Sequence, residues 1–222
     1  MRNALSPQIL AIIILILLAA AGLPPSASAA ERDFLVVEGG KCAAALAAAE
    51  DAMDIPRHLL VALAVAESGR YEKKSHGIQA WPWTVTSGAQ SWYLDSREAA
   101  IEKVRHLQGQ GVRNIDVGCV QINLHYHKNA FDNLETAFDP GANVRYGATF
   151  LKRLHGETRS WVRAVSHYHS RTREFYIPYR RKVFRYWNLV RRTANFEHRL
   201  AMQEKFARAR AARDAAGDET GH

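Results

Sequence analysis

The chain has 222 residues, of which 47% are hydrophobic and 23% charged, with a formal net charge of +8. That balance suits one globular domain with a buried core and sets aside a disordered chain. The basic excess points to anionic partners (cell-wall peptides with free carboxylates, lipid headgroups or nucleic acid) without choosing among them.

The first predicted element is a leader. Residues 1–29 hold one basic residue, an unbroken apolar run from Ile9 to Leu23, and the small-x-small pattern Ala27-Ser28-Ala29 that signal peptidase cuts. The run is shorter than the roughly 20 residues of a membrane-spanning helix. An uncleaved N-terminal anchor is the alternative. The expectation is a secreted protein whose mature chain begins near Ala30. Export makes Cys42 and Cys119, the only two cysteines, candidates for a disulfide, with two buried free thiols as the alternative. A bridge would tie the helix around Cys42 to the segment "DVGCVQIN".

Residues 41–51 are alanine-rich and predicted helical. Asp54 can cap the next helix, Pro56 fits its first turn, and Gly69 ends it. In "LLVALAVAESGR", Leu59, Leu60, Leu63 and Ala66 form one helical stripe, which Glu67 continues. "AWPWTVTSGAQSWYLDS" reads as a β-hairpin turning at Ser87-Gly88. Residues 97–110 form a short helix capped by Asp95 or Ser96. "DVGCVQINLHYH" is a loop or an extended piece. Asp139-Pro140 starts a helix with Tyr146, Phe150, Leu151 and Leu154 as its stripe and Gly156 as its stop. Residues 161–168 and 177–192 are helical. From about Ala194 the chain is charged and nearly free of large apolar residues, a solvated helix fraying into a disordered tail.

A carboxyl on an apolar face loses hydration, which disfavours its charged form and raises its pKa. The last turn of a helix adds the negative end of the macrodipole, which pushes the same way. Glu67 is therefore a candidate general acid, protonated near neutrality and able to donate to a leaving oxygen. If "GCVQIN" is extended, Gln121 and Asn123 point to one side and offer amides suited to sugar acetamido and hydroxyl groups, while Gly118 permits a close approach.

"AVAESGR", "DVGCVQIN", "DPGANVRYGATFL" and "AVSHYHS" together resemble, in order and separation, the soluble-type (SLT domain) lytic transglycosylases, over about Cys42 to Trp187. The resemblance implies a lysozyme-like, mainly helical fold with a small β-hairpin insert lining a substrate groove, in a domain spanning residues 30–193 and followed by a tail at 194–222. It implies Glu67 as the catalytic acid, substrate contacts at Ser68, Gln121, Asn123 and Tyr168, a periplasmic location and no cofactor. His169 stands where the family usually has asparagine. Trp81, Trp83 and Trp92 of the "WPWTV" hairpin become candidate sugar-stacking rings.

The implied reaction cleaves the MurNAc–GlcNAc β-1,4 bond of peptidoglycan and leaves a 1,6-anhydroMurNAc end. A hydrolytic muramidase with Asp95 or Asp116 as partner carboxylate is the alternative, and a non-catalytic wall-binding assembly factor a further one. The pairs His125/His127 and His167/His169 lack the third-ligand spacing that a zinc site needs, so no metal is expected. "YRRKVFRYWNLVRR" has the composition of a nucleic-acid strip but reads more simply as a helix with an apolar inner face, so no nucleic acid is expected. Peptidoglycan strands are the expected partner. Flagellar, secretion or conjugation complexes are the machines such lone domains serve, and no membrane span is expected after the leader.

Overall fold

The computed structural model describes residues 35–36, 40–73 and 77–218; the predicted leader and the last four residues lie outside the described residues. Two helices, α1 (Ala43–Ala52) and α2 (Leu59–Ser68), begin the helical part. The predicted stripe on α2 understates its burial. Leu59, Leu60, Ala62, Leu63 and Ala64 are all fully buried, and Val61, Val65 and Ala66 nearly so, so every side of the helix is covered. An apolar circumference of this kind belongs to a central helix.

The start of α2 also departs from expectation. Asp54 and His58 take left-handed φ values of 49° and 66°, and the segment between Ala52 and Leu59 is a turn rather than a first helical turn capped by Asp54. His58 supplies no side-chain cap. The buried carboxylate of Glu50 replaces it. Its Oε1 accepts from the N–H of Leu60 at 2.7 Å and of Val61 at 3.2 Å, and its Oε2 from the N–H of His58 at 2.7 Å. A helix start inside an apolar core has no water for its free N–H groups, so a buried acceptor must serve them.

At the other end the chain leaves α2 through extended Gly69 into β2 (Gly69–Glu72), antiparallel to β3 (Gly77–Ala80) with Gly69 opposite Ala80. A short β1 (Leu35–Val36) pairs parallel with β3. The predicted hairpin is β4 (Thr84–Ser87) and β5 (Gln90–Tyr93), and Ser87 opposite Gln90 makes Gly88-Ala89 a two-residue turn. Gly88 carries the positive φ of 59° that the first central position of a type II′ turn needs. Two-residue alternation then sorts the faces: Val85 and Trp92 turn to the core, while Thr86 and Ser91 share a 3.1 Å hydroxyl contact on the other face. A second hairpin, β6 (Asp116–Val117) and β7 (Ile122–Asn123), joins through β4 to give the order β5-β4-β6-β7.

The remaining helices follow their caps. Ser96, not Asp95, caps α3 (Arg97–Gly109), accepting from the N–H of Ala99 at 3.1 Å. After the single turn α4 (Leu134–Ala137), Asp139 caps α5 (Pro140–Thr158) by accepting from the N–H of Ala142 at 2.8 Å. Gly156 does not stop α5; Arg159, with φ 52°, makes the left-handed exit three residues later. Then come α6 (Trp161–His169) and α7 (Arg173–Asp218).

The last helix starts before the predicted residue 177 and continues through the stretch expected to be a solvated, fraying helix, for 46 residues, or about 70 Å at the usual rise. Tyr179, Val183 and Val190 are buried in the core; from Arg191 to Arg210 its side chains are half-buried or exposed. Strong helix formers such as Ala, Arg, Glu and Lys sustain the distal half.

Two apolar clusters result. One surrounds α2 with α1, α5, α6 and the first half of α7. The other lies under the hairpins, with Val104 of α3 and Phe138 among its buried members. The Cys42–Cys119 disulfide is formed, with Cα atoms 6.0 Å apart, and ties α1 to the turn between β6 and β7. Mainly helical architecture with a small β insert is what the sequence led one to expect, although the β part is larger than one hairpin. No helix among the described residues is long and apolar enough to cross a membrane.

Candidate active site

Glu67 occupies the last turn of α2, half-buried, where the two clusters leave a groove of about 470 Å³ between them. Its Oε1 accepts a 2.6 Å hydrogen bond from the Tyr179 hydroxyl. Burial is the dominant influence and drives its pKa from 4.5 up to about 7; the Tyr179 bond opposes this, the Asp116 charge adds to it and Lys182 opposes it. Lys182 also donates to the Ala66 carbonyl at 2.6 Å, placing a cation at the negative end of the helix. The mostly buried Tyr179 ring stacks on His169, centroids 4.5 Å apart. Burial, reinforced by Glu67, holds the phenols of Tyr168 and Tyr179 well above their ordinary pKa, so both remain donors.

The amide-bearing loop forms the opposite wall. Between β6 and β7, Gly118 has φ 87° and Gln121 φ 49°, so the strand-like alternation expected for Gln121 and Asn123 is broken by a tight turn. The close approach expected at Gly118 is made by Asn143, which a Cβ there would strike. The fully buried Asn143 amide donates to the carbonyls of Val117 and Ala137, each at 3.0 Å, and accepts from the N–H of Val120 at 3.1 Å. The Gln121 amide nitrogen donates to the carbonyls of Gly118 (2.9 Å) and Thr84 (3.1 Å). That leaves its Oε1 buried and without a partner. A left-handed non-glycine residue with an unserved acceptor on a groove is the kind of local strain that collects at functional sites.

Asn123 plays a different part. Its Nδ2 donates to Asp116 Oδ1 at 2.9 Å and to Asn114 Oδ1 at 2.5 Å, and its Oδ1 accepts from the N–H groups of His125 and Tyr126. Asp116 lines the groove as well, its pKa raised by burial and held back by the Asn123 bond. Tyr168 lines the groove beside Phe150, but its hydroxyl donates to the Val120 carbonyl at 2.9 Å rather than to Glu67.

Several expectations need correction. Ser68 is fully buried; it donates to the Cys119 carbonyl at 2.6 Å and accepts from the N–H of Trp81 at 3.2 Å, so it clamps α2 to the loop and does not line the groove. Because Ser68 follows Glu67 by one residue, it faces about 100° away around the helix. None of Trp81, Trp83 and Trp92 lines the groove. Trp81 donates to the Leu94 carbonyl under the Arg70 guanidinium, and Lys103 covers Trp92. The hairpin does wall the groove, through Thr86, Gly88 and Ser91. Asp95 is almost wholly exposed, faces Arg70 and lies outside the groove.

Three residues escaped the sequence reading. Tyr179 is adjacent to Pro178 on a helix 112 positions beyond Glu67, and Lys182 is one turn further along; only tertiary packing brings them to the acid. Tyr126, in the quoted "LHYH", is 74% exposed and lines the groove, its ring in edge contact only with His125, centroids 5.2 Å apart. Its exposure despite its size was not readable from spacing. Among the described residues no three His, Cys, Asp or Glu side chains converge as metal ligands; His127 instead bonds Tyr146 at 2.9 Å.

Comparison with known proteins gives one positive result. Residues 44–175 match the family model described as Transglycosylase SLT domain, a span that includes Glu67, both hairpins and Tyr168. No curated protein and no solved structure matches the chain.

Proposed function

The chain belongs to the transglycosylase SLT domain family, lysozyme-like in fold and acting on peptidoglycan, and we propose that its groove cleaves the MurNAc–GlcNAc β-1,4 bond to leave a 1,6-anhydroMurNAc end. The observation that carries this is the state of Glu67: one carboxyl with its pKa near neutrality, open to a groove walled by sugar-compatible amides and hydroxyls.

The Tyr179 hydroxyl engages Oε1, which leaves Oε2 to carry the proton. Glu67 gives that proton to the bridging oxygen, and the GlcNAc side departs with a hydroxyl. The muramyl N-acetyl oxygen bonds C1 and carries the positive charge. Glu67, now a carboxylate, takes the proton from the 6-hydroxyl as O6 attacks C1, displacing the acetamido oxygen and closing the anhydro ring. The acid is regenerated and no water is consumed. Such substrate assistance needs a single carboxyl. The exposed Tyr126 ring is suited to stack on a sugar face.

A second reading has an observation of its own. Asp116 shares the groove with Glu67 and is held in place by Asn123, as a partner carboxylate for hydrolysis would be. Digesting purified peptidoglycan and weighing the muropeptides decides between them. The anhydro end is lighter than the hydrolysed one by one water, and the proposal is lost if only the heavier product forms. Residues 1–29 are proposed as the leader that delivers the enzyme to the periplasm, where wall remodelling or a wall-spanning machine requires it.

A further inference from the structure

The groove does not end at its own walls. At Tyr126 and His127 it meets a second hollow of about 560 Å³, and at His125 and Lys128 that hollow meets a third of about 430 Å³. The charge changes along this path. The groove proper holds the carboxyls of Glu67 and Asp116. The two further hollows are lined by Arg113, Lys128 and Arg153 and by no Asp or Glu.

What distinguishes these cations is that they gather along one furrow with no acid among its lining residues. Arg70, Arg105 and Arg171 each face a carboxylate, Asp95, Glu135 and Glu157 respectively. Among the described residues Arg113, Lys128 and Arg153 have no carboxylate within 4.0 Å. Arg153 lies with its guanidinium 5.1 Å from the Phe150 ring centroid, which occupies a face and leaves the N–H edge for a ligand. Uncompensated like charges bordering one furrow create a positive field that an anionic ligand relieves.

We infer that this basic furrow is a binding site for the free carboxylates of the peptide stems that branch from muramyl residues, so that the enzyme prefers strands whose stems carry free carboxylates over strands whose stem carboxyls are neutralised. The inference rests on the proposed peptidoglycan-cleaving function. Neutral N-acetyl sugars give no reason for the cations, whereas a peptide leaving the strand beside the scissile bond carries carboxylates to them. Arginine and lysine bind such groups through charge-assisted hydrogen bonds.

The test compares initial rates of the wild-type chain and of Lys128→Glu/Arg153→Glu on two substrates: glycan strands with intact stems, and the same strands with their stem carboxyls converted to amides by carbodiimide and ammonia. All the substituted side chains are exposed, and Lys128→Gln/Arg153→Gln serves as the milder pair. The expected result is a KM on strands with intact stems raised about tenfold by reversal and less by neutralisation, with kcat unchanged. On amidated strands all three proteins should behave alike, with the high KM of the reversed variant. Equal KM values for both substrates and all proteins would overturn the stem site while leaving the cleavage reaction standing. Failure of the wild-type chain to cut either substrate would overturn the reaction and this inference with it.

Discussion

Glu50 and Glu67 sit at opposite ends of α2, each with its pKa raised by burial, yet the protein surrounds them differently. Glu50 meets the positive end of the helix and is saturated by three backbone N–H groups. Glu67 meets the negative end, where one phenol reaches Oε1 and the rest of the carboxyl faces a groove. Backbone donors stabilise a carboxylate and fix it in place, which makes Glu50 part of the scaffold. Scarce donors and an unfavourable dipole keep the other acid ready to hold and release a proton. Burial alone does not make an acid catalytic; what matters is how few groups compete for its lone pairs.

That contrast can be broken in several ways. The largest expected effect is Glu67→Gln, which should lower peptidoglycan cleavage by about 10³-fold, measured as muropeptide release, with the fold intact by circular dichroism. Glu50→Ala should act on stability instead. Three N–H groups lose their acceptor inside the core, a loss of roughly 3 kcal/mol in urea unfolding, with turnover per folded molecule unchanged. Abolished turnover in a fully stable Glu50→Ala protein would erase the distinction.

A pH series sharpens the comparison further. The folded-state pKa of Glu67 is about 7, above the ordinary 4.5, so its contribution to stability is complete below pH 4.5 and is lost as pH rises to about 7. Glu67→Gln removes that loss. Its Tm should exceed the wild-type value at pH 8, by roughly 5 °C or about 2 kcal/mol once water access through the groove is allowed for, and match it at pH 4. The smallest effect is expected from Tyr179→Phe. Without the bond that opposes burial, the pKa of Glu67 should rise, moving the alkaline decline of kcat/KM to higher pH while the rate falls about threefold. An unmoved profile would remove Tyr179 from the account.

The parts of this site that were legible in the sequence are those set by local pattern. Glu67 continues an apolar stripe at helical spacing, Ser87-Gly88 marks a turn between β-rich segments, and Asp139-Pro140 marks a helix start, all consequences of neighbours a few residues apart. Two cysteines left one possible pairing, and it is formed. What was illegible depends on distant groups meeting. The cap on α2 comes from the preceding helix, because Asp54 turns left-handed. Tyr179 and Lys182 reach Glu67 from the far end of the chain. Ser68, adjacent to the acid in sequence, is turned into the core by the helical repeat. The family resemblance makes the tryptophans candidate sugar platforms, but Trp92 is committed to the core face by two-residue alternation and Trp81 is held by its bond to the Leu94 carbonyl.

The central claim is that Glu67 holds its proton near neutrality, and a carboxyl titration reads this directly. With ¹³C-labelled glutamate and Glu67→Gln to assign the signal, the side-chain carboxyl resonance followed from pH 3 to 9 should show a midpoint near 7. A midpoint near 4.5, the ordinary value for a solvated glutamate, would leave Glu67 ionised at neutral pH and contradict its role as the acid.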